Sequence, residues 1–553
     1  MRNILCLFAF LLASAPLIAQ GSQESTTAKE NIYASPKLVV GIVVDQMRYD
    51  YITRFWPRYG NDGFKKLIRE GYHLKNNHFN YVPTYTGPGH TSVYTGAAPE
   101  THGIISNNWF NKFEGASVYC AGDPNVEPVG TTSSAGKMSP HRMLTTSVAD
   151  ENRLHTQMRG KTIGVALKDR GSILPAGHTA NAAYWFHGRD EGRWITSSFY
   201  MKELPKWVQD FNNSDKAESY MKIWNTLYDI KTYVESGSDE NTYEGGFSGK
   251  EKATFPYDLK KLGKKNGGFD IIKSTPYGNN LTTDFALAAI DGEGLGKDEI
   301  TDFLTVSYSS PDYVGHNFGV NSVEVQDTYL RLDQELARLI KALNEKVGEG
   351  NYTLFLTADH GGVHVPAYLE SKKIPSGYFI DNEFEAALGE FVAKEFGTKE
   401  AILNISNDQI FFDYQVLADK DINAEELEEA IAHFALQYDK INMTFTRTQL
   451  EGTTYSSGMA ELIDHGFHQK RSGDVIFVLD PSVISYSPTG STHGSGQNYD
   501  THAPLIFYGN GIKKGSSLER TEIVDIAPTI SALLGIPFPN GSTGRPLEMV
   551  IEK

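Results

Sequence analysis

The sequence is short of cysteine, of long apolar runs and of positive charge, and each shortage narrows what the protein can be. Two cysteines occur, Cys6 and Cys120. Cys6 lies in an N-terminal segment expected to be removed, so Cys120 has no intrachain partner and disulfides do not hold the fold. It is expected to pack as a small hydrophobe rather than to react. Beyond the N-terminal segment no stretch is apolar over the ~20 residues a membrane-spanning helix needs, so the mature chain is expected to carry no membrane span. Lys and Arg total 51 against 68 Asp and Glu, for a formal net charge of −17. That balance argues against nucleic acid or an anionic membrane surface as a partner. If the protein handles anions, its positive charge must be local, and metal ions are the obvious source.

The apolar content of 40% is enough for a sizeable core. Residues 1–20 have a signal pattern: Arg2, an apolar run from Ile4 to Leu12, and small residues at Ala13-Ser14-Ala15 or Leu17-Ile18-Ala19. A signal peptide over 1–20 implies export, to the periplasm of a two-membraned cell or otherwise as a secreted protein. Residues 21–35 are polar and expected to be a disordered leader.

Strand and helix signals alternate from there to about residue 550. Lys37 to Asp45 (KLVVGIVVD) is an unbroken apolar, β-branched run, the pattern of a strand buried on both faces of a parallel sheet. Further strands are expected at 72–80, 162–167, 303–308, 352–357, 474–479 and 504–508. Helices are expected at 61–70, 88–96, 282–290, 324–343, 424–436 and 526–534. Two stretches break the alternation, at about 190–275 and 367–470, and are expected to be insertions. The fold class expected is α/β, one catalytic domain over 36–550 with a large central, mostly parallel sheet flanked by helices.

Ligand-type residues gather at strand ends. Asp45 closes the first strand, and Asp312 and His316 (DYVGH) follow the strand at 303–308, one helical turn apart if that segment coils. Asp359 and His360 (TADHGG) follow the strand at 352–357, and His493 lies in STHGSG before the strand at 504–508. Ligands of open α/β sheets collect outside the carboxyl ends of strands. Three Asp and three His converging there make mixed nitrogen–oxygen sites suited to zinc. Any one alone reads more simply as a helix cap or a hydrogen-bonded core His. Thr86, in Thr84-Tyr85-Thr86-Gly87-Pro88-Gly89-His90, precedes the Pro of a short helix. Its hydroxyl is either an N-cap or a nucleophile placed where the helix favours anions. Of the remaining histidines, His364 and His502 are candidates for outer-layer groups, and none is assigned to a metal.

Taken in order, GIVVDQMRYD, VPTYTGPGH, HGIISNNW, KDRGSILPAGHTAN, DYVGH, TADHGG, STHGS and VDIAPTISALLGI…GRPL resemble the alkaline phosphatase superfamily. The resemblance runs from about Lys37 to Leu547 and is strongest to its monomeric, phosphate-irrepressible periplasmic bacterial type. It implies two Zn2+ per chain, no magnesium site and no organic cofactor. One zinc would be held by Asp312, His316 and His493, the other by Asp45, Asp359, His360 and Thr86. Thr86 would attack phosphorus to form a phosphothreonine that water then hydrolyses. Asn107, Lys168 and Arg170 would clamp the phosphoryl oxygens. Lys168 and Arg170 are two apart, so in extended chain both would face one side.

That clamp favours small phosphate monoesters, whose dianion offers three non-bridging oxygens. A phosphodiesterase or nucleotide pyrophosphatase of the same superfamily is the alternative, and Lys168 with Arg170 is the discriminating feature. A sulfatase would need Cys or Ser where Thr86 stands. A non-catalytic binding relative would be expected to have lost a ligand or the nucleophile.

Overall fold

The computed structural model describes residues 35–552. The predicted signal peptide, and all of the predicted leader but Ser35, lie outside the described residues. Six strands and three helices position the site. They are β1 (Leu38–Val44), β2 (Tyr72–His78), β3 (Thr162–Ala166), β4 (Asp302–Tyr308), β5 (Tyr352–Thr357) and β6 (His502–Gly509), with α1 (Thr86–Thr95), α2 (Asp169–Ala176) and α3 (Ser310–Phe318).

These strands form the middle of an 11-stranded sheet, in the spatial order β2-β6-β5-β1-β4-β3. β1 pairs in parallel with both β4 and β5, and β4 in parallel with β3. β6 runs antiparallel to both β5 and β2. All seven residues of β1 (LVVGIVV) are buried, as a strand covered by helices on both faces requires. β5, β1, β4 and β3 are parallel, while β6 within the sheet and Arg193–Ser197 towards one end run antiparallel, so the sheet is α/β and mostly parallel in its centre.

The strand directions have one consequence for function. β1, β2, β3, β4 and β5 all end on the same edge of the sheet, and β6, being reversed, begins there. Every segment that leaves these strands, and the one that enters β6, therefore meets at one rim.

The two irregular stretches differ in how they join this frame. The first stretch, expected from about 190, starts later, because Arg193–Ser197 is a strand of the central sheet paired with Ala182–His187. In the remainder, to 275, Trp224, Phe247 and Tyr257 pack their rings against one another and Phe318 of α3, so this stretch shares the main core. The second stretch has its own core around Phe384, Leu427, Ile431 and Phe477. It also has its own antiparallel sheet, in the order Ile402–Ser406, Gln409–Phe412, Val475–Leu479, Ile441–Thr446. The strand expected at 474–479 thus belongs to the second stretch and not to the central sheet. Its sequence VIFVL suits either sheet, and only its partners across the ladder distinguish them.

Candidate active site

The segment from β2 to α1 carries Thr86 to the rim. α1 begins at Thr86 itself, with Tyr85 at the N-cap and no side-chain cap bond. The capping role is therefore not the one Thr86 plays. A Cβ on Gly89 would stand 2.2 Å from the carbonyl oxygen of Asp359. Glycine there lets the first turn of α1 close on the segment after β5. Thr86 Oγ1 consequently lies 3.4 Å from His360 Nε2 and 3.4 Å from Lys168 Nζ.

Around Thr86 the predicted acids and imidazoles converge. Asp312 and His316 sit on α3 one turn apart, with Asp312 Oδ1 3.1 Å from His316 Nε2 and 3.5 Å from His493 Nε2. His360 Nε2 is 3.5 Å from Asp45 Oδ1 and 3.4 Å from Asp359 Oδ2. Lys168 Nζ bridges the acids, 2.7 Å from Asp45 Oδ2 and 2.5 Å from Asp312 Oδ2.

Each imidazole is oriented by a backbone carbonyl. Nδ1–H of His316 donates to Ser491 O at 2.7 Å, that of His360 to Gly361 O at 2.9 Å, and that of His493 to Thr84 O at 2.8 Å. This leaves every Nε2 lone pair facing the acids, the tautomer a metal ligand needs. Burial and the neighbouring His316 push His493 down to about 3. Burial and His493 likewise hold His360 well below the usual imidazole range.

The carboxylates are strained by burial and by one another. Burial, then Asp312 and Asp359, raise Asp45 well above the usual range, and burial raises Asp359 to about 7. Burial opposes the charge of Asp312 too, but His316, Lys168 and His493 hold it well below the usual range. Asp45 Oδ1 and Asp359 Oδ2 are buried without a well-formed hydrogen bond, and Asp45 Oδ2 meets the Lys168 ammonium alone. Buried acceptors left in this state call for a cation. Two sets of ligand atoms lie within 4.8 Å of one another: Asp312, His316 and His493, and Asp45, Asp312 and His360. The mixed carboxylate and imidazole donors fit divalent metal ions. Asp312 belongs to both sets, while Asp359 adjoins the second.

Asn107, Lys168 and Arg170 stand around the same point. Gly87 N donates to Asn107 Oδ1 at 2.7 Å, leaving the amide Nδ2 of Asn107 for a ligand. Lys168 is extended (φ −90°, ψ 131°) at the N-cap of α2, but Arg170 lies in that helix's first turn. The two are thus not on one extended face as expected. Arg170 Nη1 instead donates to Tyr119 Oη at 3.1 Å, and Tyr119 donates to Asp169. Burial works against both charges, yet Asp312 and Asp45 keep Lys168 well above its usual range, and Tyr119 and Cys120 do so for Arg170. All ten predicted residues therefore meet at one rim.

Several partners had not been read from the sequence. Gln46 donates from its backbone to Asp359 Oδ1 at 3.1 Å and from Nε2 to Asp312 Oδ1 at 2.9 Å. His90 lies 3.2 Å from Asp359 Oδ2 and donates to Thr86 O at 2.9 Å. Adjacency to Asp45 and to the Thr86 helix was the available signal. His502 stacks on Tyr49 and His78 and bonds Lys75 O. Cys120 is buried and free.

Known proteins share this chain's sequence and shape. The model of the family described as type I phosphodiesterase / nucleotide pyrophosphatase matches residues 39–503. A protein of Myroides odoratus named calcium-transporting ATPase is 44% identical over 523 residues, 94% of this chain and 95% of that one. Alkaline phosphatase PafA of Elizabethkingia meningoseptica is 45% identical over 527 residues, 95% of this chain and 96% of that one. The crystal structure of wild-type PafA superposes with a TM-score of 0.90, covering 94% of this chain and 99% of that chain. A second PafA structure is of a variant with one Thr changed to Ser and an Asn, a Lys and an Arg changed to Ala.

Proposed function

The chain belongs to the type I phosphodiesterase / nucleotide pyrophosphatase family and is an enzyme of its alkaline phosphatase kind, and from that premise we propose a two-zinc phosphate monoesterase acting through Thr86. Hydrolysis of phosphate esters follows from the relatives. The finer reading rests on one observation: a buried threonine hydroxyl lies within 3.4 Å of both a metal-type imidazole and a buried ammonium.

Asp312, His316 and His493 would hold one zinc, and Asp45, Asp359, His360 and Thr86 the other, with Asp312 near enough to touch both. Bound zinc would supply Lewis-acid charge at the attacking and leaving oxygens. The chain's own groups do the rest. α1 aims the Thr86 hydroxyl, and its first turn contributes the positive end of the helix dipole. Thr86 Oγ attacks phosphorus in line, forming a phosphothreonine as the alcohol departs, and water later restores the hydroxyl. Asn107 Nδ2, Lys168 and Arg170 take the non-bridging oxygens, Arg as a fork and Lys as a point charge. The PafA variant supports this grouping. Its exchanged Thr and Asn are as far apart in sequence as Thr86 and Asn107, and its Lys and Arg, like Lys168 and Arg170, are separated by one residue.

Three donors around one phosphoryl group suit a dianionic monoester, because a diester replaces one charged oxygen with a substituent. The residues 1–20 suit export, so release of phosphate outside the cytoplasm is the role proposed. A diester substrate is the second reading, on the strength of the family description. The test is kcat/KM for an aryl phosphate monoester, its methyl diester and ATP, whose terminal group presents the same oxygens and which a relative's name suggests. Monoester preference by decades is expected. Diester preference would move the protein to the phosphodiesterases.

A further inference from the structure

We propose that Asn407, on the second inserted stretch, is a positioning residue for Asn107, so that this stretch completes the phosphoryl-binding side of the site. The proposal rests on the reading of Asn107 as a phosphoryl ligand.

Asn107 lies in the segment that joins α1 to the hairpin Asn108–Asn111 and Ala116–Tyr119. Two contacts hold it from the catalytic side. Its Oδ1 accepts from Gly87 N at 2.7 Å, and its backbone oxygen accepts from Cys120 N at 2.9 Å. Neither fixes the neighbours that carry the backbone past it. Asn407 does. Its Oδ1 accepts from Ser106 Oγ at 2.9 Å, and its Nδ2 donates to Asn108 O at 2.8 Å. One side-chain amide thus spans Asn107, using its acceptor on the residue before and a donor on the residue after.

The turn that presents this amide does not itself need it. Asn407 and Asp408 connect Ile402–Ser406 to Gln409–Phe412, with Ser406 paired to Gln409, and have φ of 54° and 59°. A two-residue hairpin loop with both φ values positive accepts Gly as readily as Asn. Backbone geometry therefore accounts for a small set of residues, and the two bonds across to Ser106 and Asn108 account for this one. The same turn also lines, with Tyr85 and His493, a cavity of about 120 Å³, so it faces the catalytic loops on both sides. Other contacts clamp the hairpin to the second stretch: Phe110 on Phe411 and Arg471 over Trp109. These act further along the chain, beyond the residues that Asn407 spans.

A donor that must meet a developing charge has to be held to within a fraction of an ångström. Loss of the span would let Asn107 Nδ2 wander while leaving Thr86 and the metal ligands in place. A merely adhesive contact between the two sheets would instead cost the same whether or not Asn107 can bind phosphate.

A double-mutant cycle separates these. Asn407→Gly keeps the turn, and kcat/KM for an aryl phosphate monoester, the inhibition constant of inorganic phosphate and the melting temperature are measured for wild type, N407G, N107A and the double variant. N407G is expected to lose roughly tenfold in kcat/KM and to bind phosphate more weakly, but to cost under about twofold when added to N107A. Equal losses in the two backgrounds would overturn the proposal. Should N407G fail to fold, Ser106→Ala removes one end of the span without touching the turn, and the same disappearance of its effect in N107A is expected. An N107A variant as active as wild type would overturn the assignment of Asn107 and the proposal with it. A wild-type protein inactive on monoesters would count against the proposed function alone.

Discussion

His360 and His493 lie face to face, with ring centroids 3.4 Å apart and planes inclined by 13°. Each ring is fixed by a backbone carbonyl at Nδ1, so the stacked pair sets the spacing of the two ligand sets to which their Nε2 atoms belong. Chelation should abolish activity and lower the melting temperature, because an ion that binds only the folded state stabilises it by mass action. Zinc content measured by elemental analysis should fall from two per chain to one in His316→Ala. In Asp312→Asn, whose carboxylate lies in both sets, it should fall for both ions. Retention of one full equivalent in Asp312→Asn would show that Asp312 serves a single ion.

Thr86→Ala and Thr86→Val should lower kcat for monoesters on the order of 10³-fold or more, with metal content and melting temperature near wild type. Thr86→Ser should retain measurable turnover. Acid quenching during steady turnover should trap phosphate on the chain in the wild type and not in Thr86→Ala. Activity of Thr86→Ala close to wild type would remove Thr86 from the nucleophile role.

Lys168→Ala combined with Arg170→Ala should cost monoester hydrolysis far more than diester hydrolysis. Each lost charge-assisted contact is worth about 1.5–3 kcal/mol, so the two together should take 10²-fold or more from monoesters. Equal losses on both substrates would mean that the pair does not read the third charged oxygen. Tyr119→Phe should reproduce a part of the Arg170 effect, since Tyr119 Oη accepts from its guanidinium.

Two buried acids give a pH prediction away from the metals. Burial, then Glu324, push Glu244 up to about 10, and burial pushes Glu324 up to about 8. One oxygen of each has no partner, and Tyr257 donates to the other oxygen of Glu324 at 2.5 Å. A carboxyl raised in the folded state binds protons on folding, so its stabilising contribution is complete below the ordinary value of 4.5 and is lost as pH rises through 8 to 10. Glu244→Gln, neutral at every pH, should melt above wild type by about 2 °C or more at pH 10 and should show no gain at pH 5. A constant offset across that range would refute the assignment.

The sequence by itself determined the candidate ligands and the alternation of strands and helices. The unbroken apolar run of β1 and the Asp or Asp-His placed directly after a strand are local signals, because a strand buried on both faces tolerates polar groups only at its ends. The α3 pair four residues apart is equally local. The tertiary structure decided what depends on partners far away in the chain. Sheet order brought six segments to one rim, and the reversal of β6 put His493 beside His360. The start of α1 turned Thr86 from a cap into a neighbour of Lys168, and the strand at Val475–Leu479 went to the second stretch's own sheet. Gln46 and Asn407 act through hydrogen bonds, and His90 through its approach to Asp359, with residues that only folding brings near, and no local pattern encodes such contacts.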